Sequence, residues 1–331
     1  MRIDPSHGRA PSRTVVWLFL LFLLVVWALN FVVGKVTLRY IPAVTLASFR
    51  LVLAGVFMLA LYPFCRRLPA FRKSTPHSPL ATSHSLARQS LGGGGSLLHD
   101  LWTFFYLSFF GVAVNQVCFT IGLRYTSVSH SAIIVGLGPI YALIFAVLLR
   151  LEQATVRKVV GMAIALSGVV LMATGTDLGH RSPTLLGDLI TFAGSLGFAL
   201  YAALGKRVAA RYDALTMTTY NFVFGALLVL PAAIYSARRI GAFSNWLAIP
   251  WQAWAGMFYM ALFSSALAYL FYFWLLRYLE VTQLAAYNYL LPVTAMLLGI
   301  LFLNERGSRI ELLGAALALA GVYWIESPRN R

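Results

Sequence analysis

Residues 139–168 read PIYALIFAVLLRLEQATVRKVVGMAIALSG, and residues 292–321 read PVTAMLLGILFLNERGSRIELLGAALALAG. With a shift of 153 positions Pro139 meets Pro292, Glu152 meets Glu305, Gly161 meets Gly314 and Gly168 meets Gly321. The same shift places Arg124-Tyr125 on Arg277-Tyr278. Nearer the start of each half the shift is 171, which pairs Ala28-Leu29 with Ala199-Leu200 and Gly34-Lys35 with Gly205-Lys206. The chain therefore repeats one apolar unit, and the first copy is longer by about 18 residues. Duplicated apolar units of this kind are the sequence pattern of membrane carriers built from structural repeats.

The solvent follows from composition. Of 331 residues 60% are hydrophobic and only 11% charged, with a mean hydropathy of +0.78. Apolar runs of about 20 residues follow one another, each long enough to cross a hydrocarbon layer roughly 30 Å thick as a helix. Ten such spans are expected, at about 14–34, 42–62, 101–122, 129–149, 156–173, 187–206, 214–235, 252–275, 281–303 and 309–326. A helix closes its own backbone hydrogen bonds, so a helical bundle satisfies its polar main chain in lipid. The expected fold is an all-α integral membrane protein. Each half holds five helices, an odd number, so the second copy enters the membrane upside down: two inverted five-helix repeats. The expected organisation is a tail at 1–13, a first repeat at 14–173 with a soluble loop at 63–100, a second repeat at 187–326, and a tail at 327–331.

Arg2, Arg9 and Arg13 precede the first apolar run, but that run is too long for a signal peptide and no small-residue cleavage site follows. Cys65 lies at a membrane edge and Cys118 inside a span, which gives no reason for a disulfide. The net charge of +16 raises nucleic acid as a partner, but the placement of the charges argues against it. In the ten-span arrangement one side of the membrane carries 17 Lys and Arg and the other 8, with Arg50 alone inside a span. By the positive-inside rule both termini and the 63–100 loop are cytoplasmic, and the basic excess faces anionic lipid headgroups. That loop is rich in Ser and Pro and contains Gly92–Gly95, as a flexible linker does. Its His77, His84 and His99 lack the spacing of a metal site.

No catalytic motif stands out. There is no His-Glu-x-x-His, no phosphate-binding glycine loop and no paired carboxylate inside a span. Ala193-Gly194-Ser195-Leu196-Gly197 misses the first glycine of a nucleophile elbow and sits in mid-helix. Gly161, Ala165 and Gly168, like Gly314, Ala318 and Gly321, put small residues on one helix face for close packing.

The informative residues are the polar ones inside spans, since each is costly in lipid unless it faces protein or water. Asn30, Arg50, Asn115 and Gln116 fall in the outer half of the membrane; Tyr201, Asn221, Tyr269, Tyr272 and Asn288 fall in the inner half. The shift of 171 pairs Asn30 with Tyr201 and Arg50 with Asn221. Two polar clusters at opposite depths suit a path opened alternately to each side; interhelical hydrogen bonding is the plainer use of such residues. Arg50 shares a helix face with Ala43, Ala47 and Ala54, so it looks into the bundle. Its insertion costs about 2.5–3.5 kcal/mol near a helix centre. Asp188 is the nearest candidate counter-ion, and two roles stay open: a structural bond within the bundle, or contact with a substrate carboxylate or phosphate. Glu152 and Glu305 precede helix starts, where a carboxylate suits the positive helix end.

The chain resembles the drug/metabolite transporter superfamily in its ten-helix form with two EamA-type domains. The marks are Trp27-Ala28-Leu29-Asn30-Phe31, Arg50, Gly122-Leu123-Arg124-Tyr125-Thr126-Ser127 running into Pro139, Leu151-Glu152, Gly161 through Gly168, and their echoes Pro292, Glu305, Gly314 and Gly321. The resemblance covers about 15–173 and 187–326. It implies a carrier of small metabolites such as amino acids, purines or drugs, often outward across a bacterial inner membrane, with a central cavity between the repeats. It adds Trp27 to the candidate substrate-binding residues. The long 63–100 loop and Tyr201 in the place of Asn30 depart from the pattern.

The reading is a secondary transporter working by alternating access, an exporter of a small amino-acid-like or drug-like solute. It needs no cofactor, and protons or a counter-solute are the coupling partners expected. The alternatives are a polytopic membrane enzyme, for which a buried His or carboxylate pair is missing, and a non-transporting receptor or assembly factor, which would not need inverted repeats.

Overall fold

The computed structural model describes residues 11–67, 97–126, 131, 134–175, 184–209, 211–239, 249–294, 297 and 309–326. Among them the secondary structure is helical, with no strand. In chain order the helices are α1 (Arg13–Thr37), α2 (Ala43–Cys65), α3 (Leu97–Ser108 continuing to Asn115–Tyr125), α4 (Gly138–Leu148), α5 (Val156–Gly175) and α6 (Leu185–Ala209). They continue as α7 (Ala214–Arg239), α8 (Trp251–Tyr259 continuing to Ala268–Tyr278), α9 (Val281–Ala286) and α10 (Arg309–Glu326). Six of them, α1, α2, α3, α6, α7 and α8, are long and apolar enough to cross a membrane. The glycine run, His77, His84 and Glu305 lie outside the described residues; His99, which the sequence placed in the loop, falls in the first turn of α3.

Local chemistry sets the helix ends. Ser12 accepts the Val15 N–H at 3.3 Å to open α1, and Asp213 accepts both the N–H and the hydroxyl of Thr216 at 2.8 Å to open α7. Thr184 caps α6 by accepting the Gly187 N–H at 3.1 Å, and its own hydroxyl donates to the Tyr125 carbonyl at 2.9 Å. Prolines stand at the starts of α2, α4 and α8, where a missing N–H costs nothing.

Two helices change pitch in the middle. Residues Phe109–Val114 of α3 and Met260–Leu267 of α8 are π-helical, and the shift of 153 lays one on the other. Such segments expose main chain and re-aim side chains, and they cluster at functional sites.

Helix pairs close through glycine. α5 and α10 run antiparallel: a Cβ on Gly168 would lie 2.5 Å from the Gly314 carbonyl oxygen, and one on Gly321 would lie 2.6 Å from that of Gly161. The contact is reciprocal, since Gly314 and Gly321 are the repeat counterparts of Gly161 and Gly168. α2 meets α7 where Gly55 faces Ala226, its own counterpart under the 171 shift. α3 runs antiparallel to α6, with Gly122 against Thr191 and Gly194 against the Asn115 carbonyl. Tyr201, Tyr272, Tyr289, Phe222 and Phe273 fill the middle. The outer faces carry Leu18, Leu21, Leu148, Leu185 and Tyr323, all exposed, as helices bathed in lipid chains require.

Candidate functional site

A cavity lies among α1, α2, α3, α4, α6, α8 and the α9 region, so both halves of the chain build its wall. Of the residues singled out above, Trp27, Asn30, Arg50, Asn115, Gln116, Tyr269, Tyr272 and Asn288 line it. Tyr201 and Asn221 stand off the wall and bond to each other, Asn221 Nδ2 donating to the Tyr201 hydroxyl at 3.1 Å. Tyr201 packs against Gly111 in the π-helical part of α3, where a Cβ would fall 2.0 Å from its ring. The polar residues of the two predicted depths thus share one cavity, with Tyr201 and Asn221 behind it.

Arg50 is 3% exposed, and Ala47 and Ala54 on its face are fully buried. Among the described residues its hydrogen-bond partners are hydroxyls: Nη2 donates to Ser265 Oγ at 3.0 Å and Nη1 reaches Thr120 Oγ1 at 3.5 Å. Asp188, the expected counter-ion candidate, accepts instead from the Thr126 hydroxyl and ties α6 to the end of α3. Among the described residues Arg50 is the one charged residue on the cavity wall.

The network around Arg50 has a direction. Arg50 donates to Ser265, and Ser265 Oγ donates to Gln116 Oε1 at 2.8 Å. Gln116 therefore presents its amide NH2 group, which lies toward the Tyr269 hydroxyl and otherwise meets no acceptor among the described residues. Among the described residues Arg50 Nε, Asn30 Oδ1, Ser264 Oγ and the Tyr272 hydroxyl are also buried without a partner, and all five residues line the cavity. Buried polar atoms are paired nine times in ten or better, so five such atoms on the residues of one cavity wall are unusual. Asn115 is spent: its Nδ2 donates to the Gly194 carbonyl at 3.0 Å, and its Oδ1 accepts from the Tyr269 hydroxyl at 2.9 Å.

Aromatic rings form the apolar side of the space. Trp27 lies 5.9 Å from both Phe198 and Tyr272, and Phe198 lies 5.3 Å from Tyr272 and 6.0 Å from Tyr269. Trp27 is fixed by an indole N–H bond to the Ser264 carbonyl at 3.3 Å. Sequence reasoning missed Thr120, Ser264, Ser265, Thr191, Ser195 and Phe198. Ser264-Ser265 was the available signal, a hydroxyl pair in the middle of an apolar span.

At one end of the molecule the turn after α4 is clamped to the start of α9. Glu152 accepts the Thr282 N–H at 3.2 Å and the Thr282 hydroxyl, and Lys158 bridges Glu152 at 2.7 Å and Glu280 at 2.8 Å. The Glu152 carboxylate thus sits at the N-terminus of α9 in the other half of the chain, not at that of α5, which follows it.

Known proteins place this architecture. A solved crystal structure aligns with a TM-score of 0.67 over 96% of this chain and 97% of its own length, at 16% identity, which shows a shared fold. An uncharacterized transporter of Archaeoglobus fulgidus is 26% identical over 92% of this chain and 95% of its own. An uncharacterized inner membrane transporter of Escherichia coli is 24% identical over 92% and 88%. A probable terminal-alkyne amino-acid exporter of Streptantibioticus cattleyicolor is 25% identical over 65% and 69%. The EamA-like transporter family profile matches twice, over residues 15–174 and 185–327, and with two copies of that domain the chain belongs to this family of multi-pass membrane transporters.

Proposed function

We propose that the protein is a secondary transporter that moves a small amino-acid-like or drug-like solute out across the bacterial inner membrane by alternating access. The single observation that carries this reading is the cavity itself: polar in part, walled by aromatic rings, and built by helices of both halves. The reciprocal glycine contacts of α5 with α10 and the paired π segments support ten spans arranged as two inverted five-helix repeats, at 14–173 and 187–326. The charge bias supports cytoplasmic termini. The relative named a probable terminal-alkyne amino-acid exporter supports the export direction and the solute size. Protons or a counter-solute would supply the driving force, and no cofactor is required.

Efflux from intact cells tests the reading. Cells overproducing the protein and preloaded with a mixture of labelled amino acids and organic acids should lose at least one solute faster than cells carrying the empty vector. The loss should stop when the membrane potential and proton gradient are collapsed. Identical retention of every solute, with the protein verified in the membrane, would count against transport.

A further inference from the structure

We infer that the cavity selects a small monocarboxylate with an apolar body and a hydrogen-bond donor beside the carboxylate, and that Arg50 and Gln116 are the groups that read the anion. This rests on the transporter reading only in taking the cavity as a solute site. Three observations carry it.

The first is charge. Among the described residues Arg50 is the one charged residue on the wall, is buried, and has hydroxyls rather than a carboxylate as partners. A buried cation without an opposite charge is costly, and a solute anion cancels that cost on binding. One positive charge matches one negative charge, which favours a carboxylate over a phosphate dianion.

The second is the direction of the hydrogen bonds. The chain from Arg50 through Ser265 to the Gln116 carbonyl oxygen leaves two donors not used up among the described residues, Arg50 Nε–H and the Gln116 NH2 group, of whose two protons Tyr269 can take only one. Two donors on one cavity wall call for an acceptor-only group, and an ionised carboxylate is one. The charge-assisted bond to the guanidinium is of the stronger kind.

The third is the remainder of the wall. Among the described residues Asn30 Oδ1 is an acceptor without a donor, so the solute supplies one, a hydroxyl or an ammonium. Trp27, Phe198, Tyr269 and Tyr272 take the apolar body.

Binding to the purified protein in detergent, followed by thermal shift and calorimetry, tests this with four probes: 3-phenyllactate, 3-phenylpropionate, 3-phenylpropionamide and inorganic phosphate. Both carboxylates should raise the melting temperature, phenyllactate the more. The amide should bind at least tenfold more weakly than phenylpropionate, and phosphate should give no shift. Arg50→Gln should melt no lower than the wild type without ligand, since it removes an uncompensated buried charge, and should lose at least tenfold in carboxylate affinity. Asn30→Val should erase the advantage of phenyllactate over phenylpropionate. Equal binding of amide and acid, a phosphate shift exceeding both carboxylates, or no shift with either carboxylate at millimolar concentration would overturn the inference. So would an Arg50→Gln protein that melts well below the wild type, because the guanidinium would then be holding the bundle. Flux is not measured, so a protein that binds carboxylates yet moves none would sink the transport reading alone.

Discussion

Lys35 and Lys206, equivalent under the 171 shift, grip equivalent main-chain carbonyls at the ends of two equivalent helices. Lys35 Nζ donates to the Leu123 and Thr126 carbonyls at 2.9 and 3.1 Å, and Lys206 Nζ donates to those of Leu276 and Leu279 at 2.6 and 2.8 Å. Each ammonium sits where α3 or α8 ends, against orphan carbonyls and the negative end of the helix dipole. Lys206 also reaches the Arg277 carbonyl at 3.5 Å. Replacing either lysine by methionine keeps the alkyl stem and removes the donor, so each variant should lose about 1.5–3 kcal/mol of stability. Lys206→Met should lose the more. Melting in detergent checks this; a variant as stable as the wild type would show that the caps contribute nothing.

Glycine positions separate into sites with and without room. Gly168 has backbone atoms of Ala318 and Gly314 at 2.5 Å from an added Cβ, whereas Gly138 has only the Ser195 hydroxyl at 3.5 Å. Gly168→Ala must push α5 away from α10 and should cost about 1–3 kcal/mol, the usual range for overpacking. Gly138→Ala should stay near the wild type. Equal melting temperatures for the two variants would contradict the glycine-mediated contact.

Much of the architecture was legible because lipid imposes a coarse rule. Runs near 20 apolar residues read as spans, and glycine spacing read as the packing face that α5 and α10 use. Arg50 was legible as inward-facing because alanines share its face. Its partners were not. Thr120 and Ser265 come from α3 and α8, and hydroxyls in apolar spans often return a bond to their own helix, as Thr120 does to the Gln116 carbonyl at 2.8 Å. The sequence sorted the polar residues by depth along their helices, which does not reveal that residues of both groups line one cavity. The π segments in α3 and α8 leave no trace in hydrophobic periodicity, yet Asn115, Gln116, Tyr269 and Tyr272 all follow them. Glu152 was legible as a helix-end carboxylate, but not the helix it serves, because that contact spans 130 residues.

The clamp at Glu152 should matter for stability and for access. Its side chain is 5% exposed, and Lys158 would lose its more buried partner. Glu152→Ala should destabilise by about 3–5 kcal/mol, as breaking a buried pair does. Glu152→Gln keeps an acceptor for Thr282 and should lose less. A cysteine placed at Ala285, on the cavity wall beside the clamp, should react faster with a thiol reagent in the Glu152→Gln background than alone. An unchanged rate would show that the clamp does not close that end.

Orientation has a direct check. Cysteines at Ser83 and Ser327 should be shielded from an impermeant thiol reagent in intact cells and react in everted vesicles, as the charge bias of 17 against 8 requires. Labelling from outside at either position would reverse the topology.

The proposed path of the solute across the membrane runs through the cavity around Arg50. Counterflow in proteoliposomes measures it most directly: vesicles preloaded with unlabelled 3-phenyllactate should accumulate the labelled compound well above protein-free vesicles. Arg50→Lys should be slower, because it keeps the charge and loses the planar fork, and Arg50→Ala should fall to the protein-free rate while remaining folded. Counterflow by Arg50→Ala at the wild-type rate would contradict the account, because the solute path would then not run past Arg50.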